Sequence, residues 1–310
     1  MASDSSRRSS KGKRARAARR RRKWPIVLLI LLVLLLASGV MLRSFIASHP
    51  HFLQRLSTQV SLFQTTSAGR TVLSLLTGVP AHSYDPSGFS KLDNGRITYQ
   101  SGAVTAKHGV DVSVYQGQID WNAVKADGIE FAMIRVALRG YDTEGRLAED
   151  PNWKTNLQGA LDAGLSVGVY IFSQATSSQE AEEEAAFLLE RIAPYKNQIT
   201  YPVVFDWESF DHTARTDNVS SATLTQACIS FCEAVRSAGY TPMVYANLST
   251  SFLQYDLQKL SRYPFWLAQY RDTPSFFGRF QIWQYSSKGT VSGISTPVDL
   301  NLSFVDYGAQ

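Results

Sequence analysis

Two acids one residue apart close an apolar run in Tyr201-Pro-Val-Val-Phe-Asp-Trp-Glu208. A run this short, β-branched at its centre and entered by proline, reads as a buried strand rather than a helix. On a strand, Asp206 and Glu208 share one face while Trp207 takes the other, which sets the two carboxyls roughly 6–7 Å apart along the chain. Paired carboxyls act on glycosidic bonds at this scale, one supplying a proton while the other handles charge or water. Two same-side acids at the end of a buried strand are costly unless solvent or a ligand meets them. A solvated pair at a loop mouth is the plainer use of the same pattern.

The elements that must position these acids follow from the rest of the chain. From Lys107 onward, strand-like runs recur at 109–113, 131–136, 166–172, 202–208, 241–247, 265–270, 280–286 and 298–302. The early runs alternate with helical patterns. Ser177-Ser-Gln-Glu180 has the form of a capping box, followed by Ala185, Leu188, Leu189 and Ile192 at helical spacing. Leu224, Cys228, Phe231 and Val235 make a second stripe, stopped by Gly239. Helices are also expected over 151–163 and 249–260. The connections between the last three strands are too short for a helical crossover, which takes about a dozen residues or more. The pattern predicts an α/β fold over 107–310: a modified TIM-like barrel of five β/α units closed by three helix-poor strands.

Chemistry in such a barrel gathers at the C-terminal ends of the strands. Those ends carry Asp111 with Ser113, then Tyr170, Asp206 and Glu208, Tyr245 and Asn247, Gln269 and Tyr270, Trp283 to Tyr285, and Asp299. Asp111, Asp206, Glu208 and Asp299 are the catalytic candidates. Tyr170, Tyr245, Tyr270, Trp266, Trp283 and Gln284 are the candidates for substrate contact, because aromatic faces stack on the apolar faces of sugar rings. Each of these aromatics, taken singly, also fits a core position.

The segment Asp111-Val-Ser-Val-Tyr-Gln-Gly117, followed by Ile119-Asp-Trp121, resembles the opening of glycoside hydrolase family 25, the Chalaropsis-type lysozymes. So do Gly168-Val-Tyr-Ile-Phe172, Pro202-Val-Val-Phe-Asp-Trp-Glu208, Trp283-Gln-Tyr-Ser286 and Val298-Asp-Leu-Asn301, in that order from about 107 to 305. The resemblance implies cleavage of the β-1,4 bond between N-acetylmuramic acid and N-acetylglucosamine in peptidoglycan glycan strands, with no cofactor. It implies that Glu208 is the general acid, with Asp206 its partner on the strand, Asp111 the acid of the first strand and Asp299 that of the last. One departure stands out: the family often has His after the Tyr of the third strand, where this chain has Ile171. Attack by water and attack by the substrate's own acetamido group both remain open. Chitinase-like barrels carry a longer acidic series on the corresponding strand, absent here. A non-hydrolytic module that binds wall sugars is the alternative from another class.

The front of the chain is different in kind. Residues 1–23 hold 11 of the 31 Lys and Arg but one of the 26 acids, so residues 24–310 carry net −5 and give no charge-based reason to expect nucleic-acid binding. Trp24 to Leu42 is an uncharged run of about 28 Å as a helix, close to bilayer thickness. With the basic tail before it, the run predicts a single-pass anchor with a cytoplasmic N-terminus and the domain outside. Cleavage as a signal peptide near Ala37-Ser38-Gly39, giving a secreted protein, is the alternative. Residues 43–106, punctuated by His49-Pro-His51, Gly78-Val-Pro80 and Asp85-Pro-Ser-Gly88, read as a stalk or linker. Cys228 and Cys232 share a predicted helix face and read as buried free thiols. No metal site is expected, since the five His show no ligand spacing and only His108 could approach the barrel mouth. The sequence specifies no oligomeric state.

Overall fold

Wherever apolar residues alternate after residue 106, a strand forms, and eight of these strands close on one another. The structure is a computed structural model that describes residues 67–209 and 214–309. Helix α1 (Ser67–Thr77) leads to a three-stranded antiparallel sheet of β1 (Phe89–Lys91), β2 (Ile97–Ser101) and β3 (Val104–Thr105). The barrel then begins with β4 (Lys107–Val112), α2 (Trp121–Ala126) and β5 (Phe131–Arg139), on whose edge β6 (Leu147–Glu149) folds back as a hairpin. Next come α3 (Trp153–Asp162), β7 (Ser166–Ser173), α4 (Ser178–Ile192), β8 (Ile199–Trp207), α5 (Ser221–Ser237) and β9 (Pro242–Asn247). The short α6 (Leu257–Leu260), β10 (Phe265–Ala268), β11 (Ile282–Gly289) and β12 (Val298–Ser303) complete it.

The order β4-β12-β11-β10-β9-β8-β7-β5, with β5 pairing back to β4, closes the barrel. All neighbours run parallel except β12, which is antiparallel to both β11 and β4. That reversal follows from the short 290–297 connection, which turns the chain without carrying it back along the barrel. It also sets Asp299 directly opposite Asp111 in the ladder.

Alternation decides what faces where. Phe131, Met133, Tyr170, Tyr201, Val204, Met243, Tyr245, Trp266 and Ile282 fill the barrel interior. Their neighbours in sequence, such as Val203, Phe205, Val244 and Leu267, pack outward against the helices. The interior is tight enough to require glycine at 109, where a Cβ would lie 2.2 Å from the Phe131 ring. Phe131 itself stacks on Tyr201, with ring centroids 4.6 Å apart.

Several local expectations change in detail. Ser177 caps α4 by accepting from the Glu180 amide, but the Glu180 carboxylate turns to the Thr176 amide and to Arg215 instead of returning to Ser177. The helix expected over 249–260 breaks at Tyr255, whose extended backbone separates a π-helical turn (Thr250–Gln254) from α6, newly capped by Asp256. Leu224, Cys228, Phe231 and Val235 are buried on α5, and both cysteines are free. His108 lies at the start of β4, at the end opposite the strand's Asp111, so it does not approach the mouth.

Within 43–106, read as a stalk or linker, the described residues from 67 onward pack on the barrel. Ala81 bridges to Gly278 and Tyr84 stacks on Phe304 at 4.0 Å. No helix among the described residues is long and apolar enough to cross a membrane. The tail at 1–23, the anchor expected at 24–42 and residues 43–66 lie outside the described residues.

Candidate active site

A cleft of about 210 Å³ opens at the C-terminal end of the barrel, and all four candidate acids line it: Asp111, Asp206, Glu208 and Asp299. Asp206 ends the inward face of β8 and Glu208 follows two residues later, while Trp207 points outward, fully buried, its indole donating to the Ala175 carbonyl at 3.2 Å. Asp111 and Asp299 come from the facing β4–β12 ladder.

The acids differ in their partners. Asp111 Oδ1 accepts two amide donors, Gln284 Nε2 at 3.0 Å and Asn301 Nδ2 at 2.6 Å. Both amides are oriented from behind. Trp266, whose indole nitrogen can only donate, gives its proton to Asn301 Oδ1 at 2.8 Å, so the Asn301 NH₂ must face Asp111. Tyr245 and Tyr270 donate their hydroxyls to Gln284 Oε1 at 3.0 and 3.1 Å, turning its NH₂ the same way. Asp206, equally buried, has an Oδ1 with no hydrogen-bond partner among the described residues. Glu208 is only partly buried and interacts with the Tyr245 hydroxyl.

Crowding and burial push all four carboxyls upward in pKa. Asp111 is raised well above the usual range by burial and then by Asp299, against the pull of its two amide donors. Burial, Glu208 and Asp111 raise Asp206, with Arg135 opposing. Burial raises Glu208, and burial followed by Glu208 lifts Asp299 to about 6. Groups this close titrate as a set, and the set retains protons toward neutral pH.

Tyr170, Tyr245, Tyr270 and Gln284 line the cleft as expected from sequence. Trp266 and Trp283 do not, and the expectation that they contact substrate is corrected. Trp266 is 1% exposed beneath the site, packed edge-on to Tyr245 at 5.0 Å. Trp283 is wholly buried on the outward face of β11, its indole donating to the Gln269 carbonyl at 2.8 Å. The family's missing histidine costs the cleft no side chain, because Ile171 is fully buried on the outward face of β7.

Asn301 and Arg135 help to build the cleft and were not among the candidate site residues read from the sequence. Asn301 lies two residues after Asp299 on one strand, so period-two alternation places both inward. Arg135 follows Phe131 and Met133 on the inward face of β5 and lines the cleft. Its guanidinium is held by the fully buried Asp150 at 2.8–2.9 Å and lies over the Tyr115 ring at 5.2 Å. Asp150 also accepts from the Val114 amide at 2.9 Å, tying the loop after β4 to the same anchor. Behind Glu208, the fully buried Gln174 donates to the Glu208 carbonyl at 2.6 Å and accepts from Thr216.

Residues 110–294 match glycosyl hydrolases family 25. The chain belongs to this family. The family 25 domain is 28% identical over 203 residues to lysozyme M1 of Streptomyces globisporus, an alignment covering 62% of this chain and 66% of that protein. It is 29% identical over 196 residues to the autolytic lysozyme of Clostridium acetobutylicum, covering 62% of this chain and 54% of that one. Its eight-stranded barrel superposes on the modular autolysin LytC of Streptococcus pneumoniae, solved with a synthetic peptidoglycan ligand, with a TM-score of 0.56 at 24% identity over 69% of this chain and 52% of the other. The chain thus spans between about half and two thirds of these relatives' lengths.

Proposed function

We propose that this glycoside hydrolase cleaves the β-1,4 bond between N-acetylmuramic acid and N-acetylglucosamine in peptidoglycan, through the barrel of five β/α units and three closing strands that the family resemblance implies. The observation that carries this reading is the convergence of Asp111, Asp206, Glu208 and Asp299 in one cleft of a family 25 domain. The lysozyme names of its relatives supply the substrate class.

Glu208 is assigned as general acid. It is the acid that extends beyond the end of β8, it is partly open to the cleft, and burial keeps its carboxyl protonated above the ordinary range. Asp206, whose Oδ1 has no partner among the described residues, is free to accept a hydrogen bond from the substrate, such as that of an acetamido N–H. Asp111, its carboxyl fixed by two amide donors that oppose the upward push of burial, is placed to balance positive charge developing at the sugar ring. Asp299 opposite it shares that task. Tyr170, Tyr245, Tyr270 and Gln284 shape the bed on which the sugars lie.

The decisive experiment digests purified walls with the full chain and identifies the new reducing ends. Reducing N-acetylmuramic acid is expected, whereas reducing N-acetylglucosamine, or no soluble fragments, refutes the reading. Residues 24–42 would hold the enzyme to the membrane with the domain outside. Protease added to wall-permeabilised cells should then remove the domain, and recovery of a soluble protein starting near Ser38 would show signal cleavage instead.

A further inference from the structure

A second groove, of about 380 Å³, runs beside the acidic cleft and shares Tyr270 with it as a common wall. Lys91, Gly95 and Ile97 of the β1–β2 hairpin form one side, and Arg271, Ser287 and Lys288 form the other. The hairpin lies ahead of the 110–294 family match, so this groove is built partly by residues outside it. It is also fixed in place. Arg96 at its tip donates to the Asp127 carbonyl at 2.6 Å and pairs with the Asp127 carboxylate, while Phe89 packs edge-on to Trp283 at 5.4 Å.

Charge changes sign across Tyr270. On the cleft side stand four carboxyls and one guanidinium, Arg135, which Asp150 already neutralises. On the groove side are Lys91, Arg271 and Lys288 against one acid, Asp272, which Lys91 pairs at 2.8 Å. Arg271 and Lys288 are exposed and have no acidic partner among the described residues, and Arg271 is steadied by a hydrogen bond to Ser275 Oγ at 3.2 Å.

A peptidoglycan strand carries uncharged rings with anionic arms on alternate sugars. Such a strand can lie over four carboxyls only if its arms point away from them, since like charges in a partly desolvated cleft repel strongly. We propose that this groove binds the anionic substituents pendant from the strand while the sugars occupy the acidic cleft, an inference that rests on the peptidoglycan reading above. Tyr270 separates the two: its ring divides the channels, and its hydroxyl lies two hydrogen bonds from Asp111 through Gln284. The same chemistry is offered by peptide-stem carboxylates and by phosphodiesters of polymers attached to the strand.

The test compares the full-length wild type with Arg271→Gln/Lys288→Gln on three substrates: walls retaining phosphate polymers, walls stripped of them, and stripped walls whose stem carboxylates have been amidated. Surface charge pairs of this kind give effects of a few-fold each, so KM for stripped walls should rise roughly 3–10-fold with kcat unchanged. Amidation should raise the wild-type KM to that of the variant and leave the variant unmoved, which assigns the anion to the stem. A KM difference confined to walls with phosphate polymers assigns it to the phosphodiester and also supports the groove. Equal KM values for the two proteins on all three substrates, with matching thermal midpoints, overturn it, as does an Arg271→Glu/Lys288→Glu variant with wild-type KM. A wild type that releases nothing from any wall defeats the peptidoglycan reading itself, a failure distinguishable from that of the groove alone.

Discussion

The two sides of the acidic cleft carry the same side-chain type in unlike settings. Asp206 lies on β8 and Glu208 just past its end, and one Asp206 oxygen finds no partner among the described residues. Across the cleft, Asp111 and Asp299 are ladder partners on antiparallel strands, and Asp111 receives two oriented amides. Hydrogen-bond donors stabilise a carboxylate, whereas burial without donors favours the protonated acid. Burial raises the acids on both sides, but donors oppose the rise at Asp111, while one Asp206 oxygen is left open for a proton or a substrate donor. The difference comes from which neighbours alternation brings inward: the amides of Gln284 and Asn301 beside Asp111, and Tyr245 rather than an amide beside Asp206.

The largest effect expected from this asymmetry is at Glu208. Glu208→Gln keeps size and hydrogen bonding but removes the proton, so release of wall fragments should fall by about 10²–10⁴-fold. Binding of wall fragments, measured by co-sedimentation, should persist. Because the donor must be protonated, wild-type turnover should also decline as pH rises through the raised pKa of the carboxyl set. Near-normal turnover in Glu208→Gln would remove the acid from the β8 side and with it the proposed division of labour.

Next comes Asp111→Asn, which leaves an oxygen for both amide donors while deleting the charge. Turnover should fall about 10²–10³-fold if that charge stabilises the reacting centre, with the folded state intact by circular dichroism. An unfolded Asp111→Asn protein whose folded fraction keeps full activity would make Asp111 a structural residue. Asn301→Leu acts behind it, stranding the Trp266 indole and one Asp111 donor position. A stability loss of about 1–3 kcal/mol in urea unfolding is expected, together with reduced turnover. Asn301→Ser or Asn301→Asp restoring stability without turnover would show that the NH₂ group, not mere polarity, matters at Asp111.

Much of this asymmetry was legible in the residues. Period-two alternation on β8 puts Asp206 and Glu208 inward and Trp207 outward, as found, and the eight runs mark the eight barrel strands. The tryptophans misled because a stacking platform and a core aromatic look alike in sequence, and only the register of β10 and β11 buries Trp266 and Trp283. Asn301 and Arg135 were within reach, each sharing the inward face with a residue already singled out or with an apolar series. Asp150 was not: it joins Arg135 to the loop at Val114 across 36 residues, with no local signal. The β1–β3 sheet escaped because its strands are two to five residues long and lack a sustained apolar pattern.

The smallest effect concerns what the charge cluster does to stability. Asp299 titrates at about 6 in the folded protein, against about 3.9 for an unperturbed aspartate. Between these values the native state binds more protons than the unfolded chain, so unfolding free energy must fall as pH rises through that window and level off above it. This is the opposite sign from an ion-paired aspartate. Asp299→Asn removes the group that has to be charged in the cleft at neutral pH, while its neighbours Glu208 and Asp111 lose a repelling partner. The variant should therefore match the wild type near pH 4 and exceed it by about 1–2 kcal/mol near pH 7, the two-unit shift being discounted because Asp299 is partly solvated. Urea midpoints at both pH values measure the difference. Curves that stay parallel from pH 4 to 7 would mean that Asp299 ionises without penalty, and that the β4–β12 side holds both of its charges as easily as water would.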